Sequence, residues 1–288
     1  MHLIFAAATL FISATTAHAF DKIIAYADSY TDNGNDFRGS KFPPTPYYEG
    51  RFSNGRTWLE EVAIQLKDVP IVNNGHGGAT TNNNQVKSVF NGWTVPSLLD
   101  QIDTIPVNGT EKDLYIIYIG YNDLNGILNP NQYTVVRNYT YKNVADNVVN
   151  GIEKIKEKYN GKEFLLMPVP PFDRFPVIKD SDKPRAKKLI NRYNQLMIEK
   201  VKAIGDINVN IMDDHAWFET ALDHPELFGL RTDNGPCIPG IGNTNECSDS
   251  DAHFYWDSYH PSAKVHRNLG YWATEQLKSL YPDEFNAY

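Results

Sequence analysis

The sequence predicts an α/β protein, a three-layer α/β/α sandwich built around a parallel sheet. Three observations lead there. Five apolar, β-rich runs recur, at residues 22–26, 70–73, 114–119, 163–169 and 209–212. Their near-continuous apolarity suits strands buried on both faces, as in parallel sheets. Segments with helical periodicity separate the runs, and alternation of strand and helix builds βαβ units. The 288-residue chain is also 41% hydrophobic and 22% charged, enough apolar sequence for one sizeable core.

The first run, Lys22-Ile-Ile-Ala-Tyr-Ala27, ends at Asp28-Ser29 and gives way to the turn-forming Thr31-Asp-Asn-Gly-Asn35. Irregular sequence continues over 31–57. Its Phe42, Tyr47, Tyr48 and Phe52 could wall a pocket or simply pack the loop down. A helix is predicted over 58–66. The second strand, 70–73, runs into Asn73-Asn-Gly-His-Gly-Gly-Ala79. A second helix is predicted over 95–105 with Pro96 in its first turn. The third strand, 114–119, is followed by Gly120-Tyr-Asn-Asp123.

The clearest helix covers 141–159, where Val144, Val148, Ile152 and Ile155 share one face and Asn160-Gly161 stops it. After the fourth strand comes a helix over 185–204. The basic run Lys183-Pro-Arg-Ala-Lys-Lys188 opens it as a solvated face. The last strand meets Asp213-Asp214, read as a capping or turn pair. A second irregular stretch, 222–259, leads to the final helix, 263–280. No linker, repeat or low-complexity segment interrupts residues 20–288, which are read as a single domain.

Residues 1–19 read as a secretory signal peptide, with an apolar stretch over 3–12 and the small-x-small pattern Ala17-His18-Ala19. The mature protein is therefore expected outside the cell. The apolar stretch is too short for a membrane span, and no later run reaches about 18 apolar residues, so no integral membrane segment is expected. Cys237 and Cys247 are the only cysteines, and an even pair in a secreted chain argues for a disulfide. With no CxxC and no His-x-x-x-His, neither a metal nor any other cofactor is expected. Asn108-Gly-Thr110 and Asn138-Tyr-Thr140 are glycosylation acceptors if the host is eukaryotic. A net charge of −8 argues against a nucleic-acid partner, which wants a basic face. A monomer is expected.

Ser29 falls where a strand ends and the chain must turn, the place where α/β enzymes carry reactive groups. A serine hydroxyl needs a base to take its proton and a third group to orient that base. Asp257-Ser-Tyr-His260 offers both, His260 as base and Asp257 as orienting acid. Acyl transfer also needs hydrogen-bond donors for the developing oxyanion. Gly75, Gly77 and Gly78 can present backbone N–H groups, and Asn122 a side-chain amide. Ser29 and the oxyanion candidates follow strands directly, as residues sharing the carboxyl edge of a sheet must.

Other candidates fall away. Asp28 reads equally well as a turn residue bonding its own backbone. His76 has no orienting carboxylate nearby, and His253 and His266 read as surface or helix residues. Trp256 reads as packing for the turn at Asp257. The glycines at 75–78 lack the third glycine of a dinucleotide fingerprint, and no Gly-x-Ser-x-Gly elbow occurs.

These blocks resemble the SGNH or GDSL-type hydrolases. Ala27-Asp28-Ser29 is similar to the family's Gly-Asp-Ser, Gly78 to its second-block glycine, Gly120-Tyr-Asn122-Asp123 to its Gly-x-Asn-Asp, and Asp257-Ser-Tyr-His260-Pro261 to its Asp-x-x-His-Pro. Gly50-Arg-Phe-Ser-Asn-Gly-Arg-Thr-Trp58 and Gly77-Gly-Ala-Thr-Thr81 look like the fungal, plant and haemolysin-like members. The resemblance implies a flavodoxin-like sheet, and an oxyanion hole of Ser29 N–H, Gly78 N–H and the Asn122 amide. It implies an ester hydrolase acting through an acyl-enzyme on Ser29. Short acyl esters such as O-acetylated carbohydrates are the expected substrates, with lipid esters as the alternative. One departure stands out: Ala27 occupies the family's first glycine, a strained place for alanine if it demanded φ > 0. With the aromatic loop, it keeps open a reading as a non-catalytic, carbohydrate-binding or interaction protein.

Overall fold

The computed structural model describes residues 20–231 and 235–285, so the expected signal peptide at 1–19 lies outside the described residues. In chain order the elements are β1 (Ile23–Ala27), α1 (Asn35–Ser40), α2 (Trp58–Gln65), β2 (Ile71–Asn73), the short strands β3 (Val86–Lys87), β4 (Val89–Phe90) and β5 (Trp93–Thr94), α3 (Leu98–Thr104), β6 (Leu114–Tyr118), α4 (Tyr121–Leu128), β7 (Thr134–Val135), α5 (Tyr141–Tyr159), β8 (Glu163–Leu166), α6 (Lys183–Lys202), β9 (Asn208–Ile211), α7 (Asp214–Asp223), α8 (Ala263–Leu280) and α9 (Pro282–Phe285).

Each of the five expected strands forms. Together they make a parallel sheet in the order β2-β1-β6-β8-β9. β1 and β6 lie inside it and are buried at every position, which is why their sequences are unbroken Ile, Ala, Leu and Tyr rather than alternating. The register sets Ala27 beside Tyr118 and Ile117 beside Leu166, so the strands end together along one edge. Helices α2 and α8 pack on each other over one face, and α3, α5 and α6 over the other, giving the expected three layers.

The apolar stripe of α5 is buried as predicted, with Val144, Val148, Ile152 and Ile155 all at 0% exposure. Each such burial is worth about 1.5–3 kcal/mol relative to exposure. A Thr140–Asn143 capping box starts the helix, and Asn160 in the left-handed conformation stops it. Elsewhere the expectations need correction. The second helix begins at Leu98 rather than 95, because Ser97 caps it and Pro96 lies outside it. Helices α4 and α7 form in stretches for which the sequence predicts no helix. Asp213 does cap α7, accepting the Ala216 N–H at 3.1 Å. Asp214 is buried and accepts the Tyr118 hydroxyl. His253 is not a surface residue: it is buried, with Nδ1 2.8 Å from the Gly235 carbonyl. His266 is buried within α8, its Nδ1 taking the Trp58 N–H at 3.3 Å.

Cys237 and Cys247 are joined in a disulfide. Asn108 and Asn138 are both exposed. Among the described residues, no helix is long and apolar enough to cross a membrane.

Candidate active site

Past the end of β1 the chain folds back on itself, Thr31 and Asp32 donating their N–H groups to the Asp28 carbonyl at 3.1 Å. Asp28 Oδ1 accepts the Tyr30 N–H at 3.2 Å, the turn role anticipated for it. Burial pushes the Asp28 carboxyl up to about 7. Just before it, Ala27 is clamped by buried Gln101 of α3. The amide accepts the Ala27 N–H at 3.2 Å and donates to the Ala27 carbonyl at 3.0 Å. Ala27 is not among the residues with positive φ. As an ordinary strand residue it carries its methyl group without strain.

The Asp257-to-His260 turn closes on its own carboxylate. Asp257 Oδ1 accepts the backbone N–H groups of Tyr259 at 2.6 Å and His260 at 2.8 Å. The same carboxylate receives His260 Nδ1, 2.8 Å from Oδ2. That contact assigns the Nδ1–H tautomer and leaves Nε2 a lone pair facing Ser29 Oγ, 3.0 Å away. Tyr47 from the aromatic loop donates its hydroxyl to Asp257 Oδ2 at 2.6 Å. Asp257 is fully buried. Burial raises its pKa, but the His260 charge and the hydrogen bonds from His260, Tyr47 and the Tyr259 N–H outweigh that and hold the carboxyl below its usual range.

On the other side of Ser29, Gly78 takes φ 77°. A Cβ there would stand 2.7 Å from the Phe90 ring and 2.8 Å from Ser88 Oγ, so only glycine fits. Among the described residues neither the Ser29 nor the Gly78 N–H finds a protein acceptor. Asn122 Nδ2 donates to the Ala79 carbonyl and Asn122 Oδ1 accepts the Tyr133 hydroxyl, both at 2.9 Å. Buried Asp32 joins the two loops, taking the Gly34 and Asn35 N–H groups on Oδ1 and the Gly77 N–H on Oδ2, the last at 2.8 Å. Burial raises its pKa to about 6 against those bonds.

A cavity of about 390 Å³ opens on this cluster. Ser29, Gly78, Asn122 and His260 line it, with Phe52, Phe90 and Ile241 as apolar wall. Of the aromatic loop, therefore, Phe52 reaches the cavity, while Phe42 stacks behind on Phe90 with centroids 4.6 Å apart. Trp256 is buried beneath the turn, edge-on to Tyr47. His76 lies outside the cavity lining, with Nδ1 2.8 Å from the Asn74 carbonyl, and burial lowers its pKa to about 4. Cys247, Asp249 and His253 bring ligand atoms within 4.8 Å of one another, but the Cys247 sulfur is in the disulfide, so this donor set does not suit a metal.

The structure thus brings Ser29, His260, Asp257, Gly78 and Asn122 to one place. Sequence reasoning offers Tyr47 only as a wall or packing residue, not as a donor to Asp257, and misses Tyr133, Asp32 and Gln101, whose contributions depend on contacts rather than on their own motifs.

A parallel α/β sandwich carrying a serine–imidazole–carboxylate chain at the carboxyl edge, open to a partly apolar cavity, has the arrangement of a serine-dependent hydrolase. The chain belongs to the family of GDSL-like lipases and acylhydrolases, whose family model matches residues 28–273, and so is an ester-bond hydrolase by class. It is 29% identical to the thermolabile hemolysin of Vibrio parahaemolyticus over 90% of this chain, and spans 63% of that relative's length. It is 27% identical to the phosphatidylcholine-sterol acyltransferase of Aeromonas hydrophila, over 79% of this chain and 68% of the relative. To the acetylesterase of Thermothelomyces thermophilus it is 25% identical, over 85% and 84%. The solved aryl esterase of M. smegmatis, 17% identical, shares the fold at a TM-score of 0.50 over 90% of this chain and 99% of that one.

Proposed function

We propose that the protein hydrolyses short-chain acyl esters, O-acetylated carbohydrates among them, through an acyl-enzyme on Ser29. The observation that carries this reading is the unbroken hydrogen-bonded chain from Ser29 Oγ through His260 to Asp257, at 3.0 Å and 2.8 Å. Ser29 Oγ attacks the ester carbonyl carbon while His260 Nε2 takes its proton. The resulting oxyanion is held by the Ser29 and Gly78 N–H groups and the Asn122 amide. When the C–O bond breaks, His260 returns the proton to the departing alcohol. Water then attacks the acyl-enzyme with His260 again as base, releasing the carboxylic acid and restoring Ser29.

The cavity supports the short-acyl reading. Its volume of about 390 Å³ is near the small end of ligand sites, about 300–1,000 Å³. A short acyl group and part of an alcohol fit within it. The acetylesterase relative is consistent with this. A second reading, lipid esters, draws on Val89, which lines the cavity and is 49% exposed, and on the acyltransferase relative. The non-catalytic reading loses its main support, since Ala27 is unstrained. Secretion behind the leader at 1–19 is supported by the disulfide, which belongs to oxidising compartments. Within that reading the exposed Asn108 and Asn138 are acceptors for glycans, and residues 20–288 form one hydrolase domain. Initial rates on acetyl, butyryl and palmitoyl esters of one alcohol test the substrate assignment. Rates falling from acetyl to palmitoyl are expected, and a maximum at palmitoyl would replace the assignment with the lipid reading.

A further inference from the structure

We infer that Tyr133 is a positioning residue for the oxyanion-hole amide, its hydroxyl fixing which end of Asn122 faces the substrate and strengthening that end as a donor. The inference rests on the proposed roles of Ser29 and Asn122. A primary amide has an acceptor end and a donor end of nearly equal shape, and only its neighbours decide which points where. An amide that presented its oxygen to a developing oxyanion would repel it. Here both ends are committed. The Tyr133 hydroxyl donates to Asn122 Oδ1 at 2.9 Å, and one Nδ2 hydrogen goes to the Ala79 carbonyl at 2.9 Å. The second Nδ2 hydrogen is left for the cavity that Asn122 lines.

Tyr133 is itself built in. Asn125, one turn beyond Asn122 on α4, donates to the Tyr133 hydroxyl at 3.3 Å and to Gln132 Oε1 at 3.3 Å. The next residues form β7, which pairs with β3 immediately before the Ser88–Phe90 wall of the cavity. Burial raises the Tyr133 phenol above its ordinary value, so the hydroxyl stays protonated as a donor. Donation into Oδ1 also polarises the amide, which makes its free N–H a stronger donor to negative charge. Tyr133 lines the cavity too, so a contact with substrate must be separated from an effect through Asn122.

A double-mutant cycle separates them, with kcat and KM for an acetyl ester measured in Tyr133→Phe, Asn122→Ala and the combined variant, beside Ser29→Ala. Tyr133→Phe is expected to lower kcat about tenfold, the scale of one neutral hydrogen bond, with KM within about twofold. Asn122→Ala is expected to lower kcat by about a hundredfold or more. Tyr133→Phe should then cost nothing further in the Asn122→Ala background, and its melting temperature should stay near that of the parent. An equal loss in both backgrounds, a loss confined to KM, or no loss at all would overturn the inference. Melting of Tyr133→Phe below the assay temperature would do so as well, by making the residue a structural one. Undiminished activity of Ser29→Ala, by contrast, would overturn the underlying mechanism and is read independently of the cycle.

Discussion

The Tyr47 hydroxyl donates to Asp257 Oδ2 at 2.6 Å across 210 residues of sequence. It ties the aromatic loop after β1 to the carboxylate that orients His260. The carboxylate is buried, so a lost donor is not replaced by solvent at no cost.

Tyr47→Phe is therefore expected to lower kcat about thirtyfold, as a bond to a charged acceptor, worth about 1.5–3 kcal/mol, exceeds a neutral one in strength. It has a second readout. Asp257 is held below its ordinary 3.8, so its ionisation stabilises the fold above that value and the contribution is lost as pH falls through the depressed pKa. Without the Tyr47 donor the loss begins at higher pH. Acid unfolding followed by circular dichroism should shift upward in pH, and an unchanged midpoint with unchanged kcat would show that the bond carries neither role.

Buried acids elsewhere give the opposite pH dependence. Burial, with the Asp32 charge nearby, raises Asp36 to about 8 from 3.8, and its Oδ1 has no hydrogen-bond partner. Between those values the folded chain keeps a proton that the unfolded chain releases, so this group's stabilisation is complete below 3.8 and is lost as pH rises toward 8. Asp36→Asn should raise the melting temperature at pH 9 and change it little near pH 4. A uniform shift across the range would contradict the account.

Gly78→Ala places a methyl group against Phe90 and forces alanine to φ 77°. Either the ring or the loop must move, and the Gly78 N–H moves with it. A fall in kcat of about a hundredfold is expected with the far-ultraviolet spectrum retained. Full activity would show that the oxyanion is held without this N–H.

The disulfide closes a loop of sequence separation 10, next to the 2.9 Å and 2.8 Å bonds that Cys237 and Ile238 donate to the Tyr255 and Trp256 carbonyls. Replacing both cysteines by serine should cost about 2.5–3 kcal/mol from loop entropy alone. Chemical unfolding measures it, and an unchanged midpoint would contradict a stabilising role for the bridge.

What the sequence disclosed follows a physical division. Strands β1 and β6 are legible because burial on both faces leaves unbroken apolar runs, and α5 because one stripe recurs with the helical period. Helix α4 is hidden for the opposite reason. Its residues, Tyr-Asn-Asp-Leu-Asn-Gly-Ile-Leu, include poor helix formers, and tertiary contacts hold it, with six of the eight buried. Gly120, at φ 121° with no room for a Cβ beside the Tyr193 hydroxyl, makes its entry turn. Ser29, Asn122, Asp257 and His260 stand out because each sits in a short motif directly after a strand or within a tight turn. Tyr47 and Tyr133 do not, since nothing in their local sequence distinguishes a donor to a carboxylate or an amide from one more packed aromatic ring.

The central claim is that Ser29 is the nucleophile, with His260 and Asp257 behind it. A serine-directed phosphonate, located by mass spectrometry and set beside the turnover of Ser29→Ala, tests it most directly. Stoichiometric modification at Ser29, prevented in His260→Ala, together with abolished hydrolysis in a folded Ser29→Ala, is the expected result. Undiminished ester turnover by Ser29→Ala would contradict it.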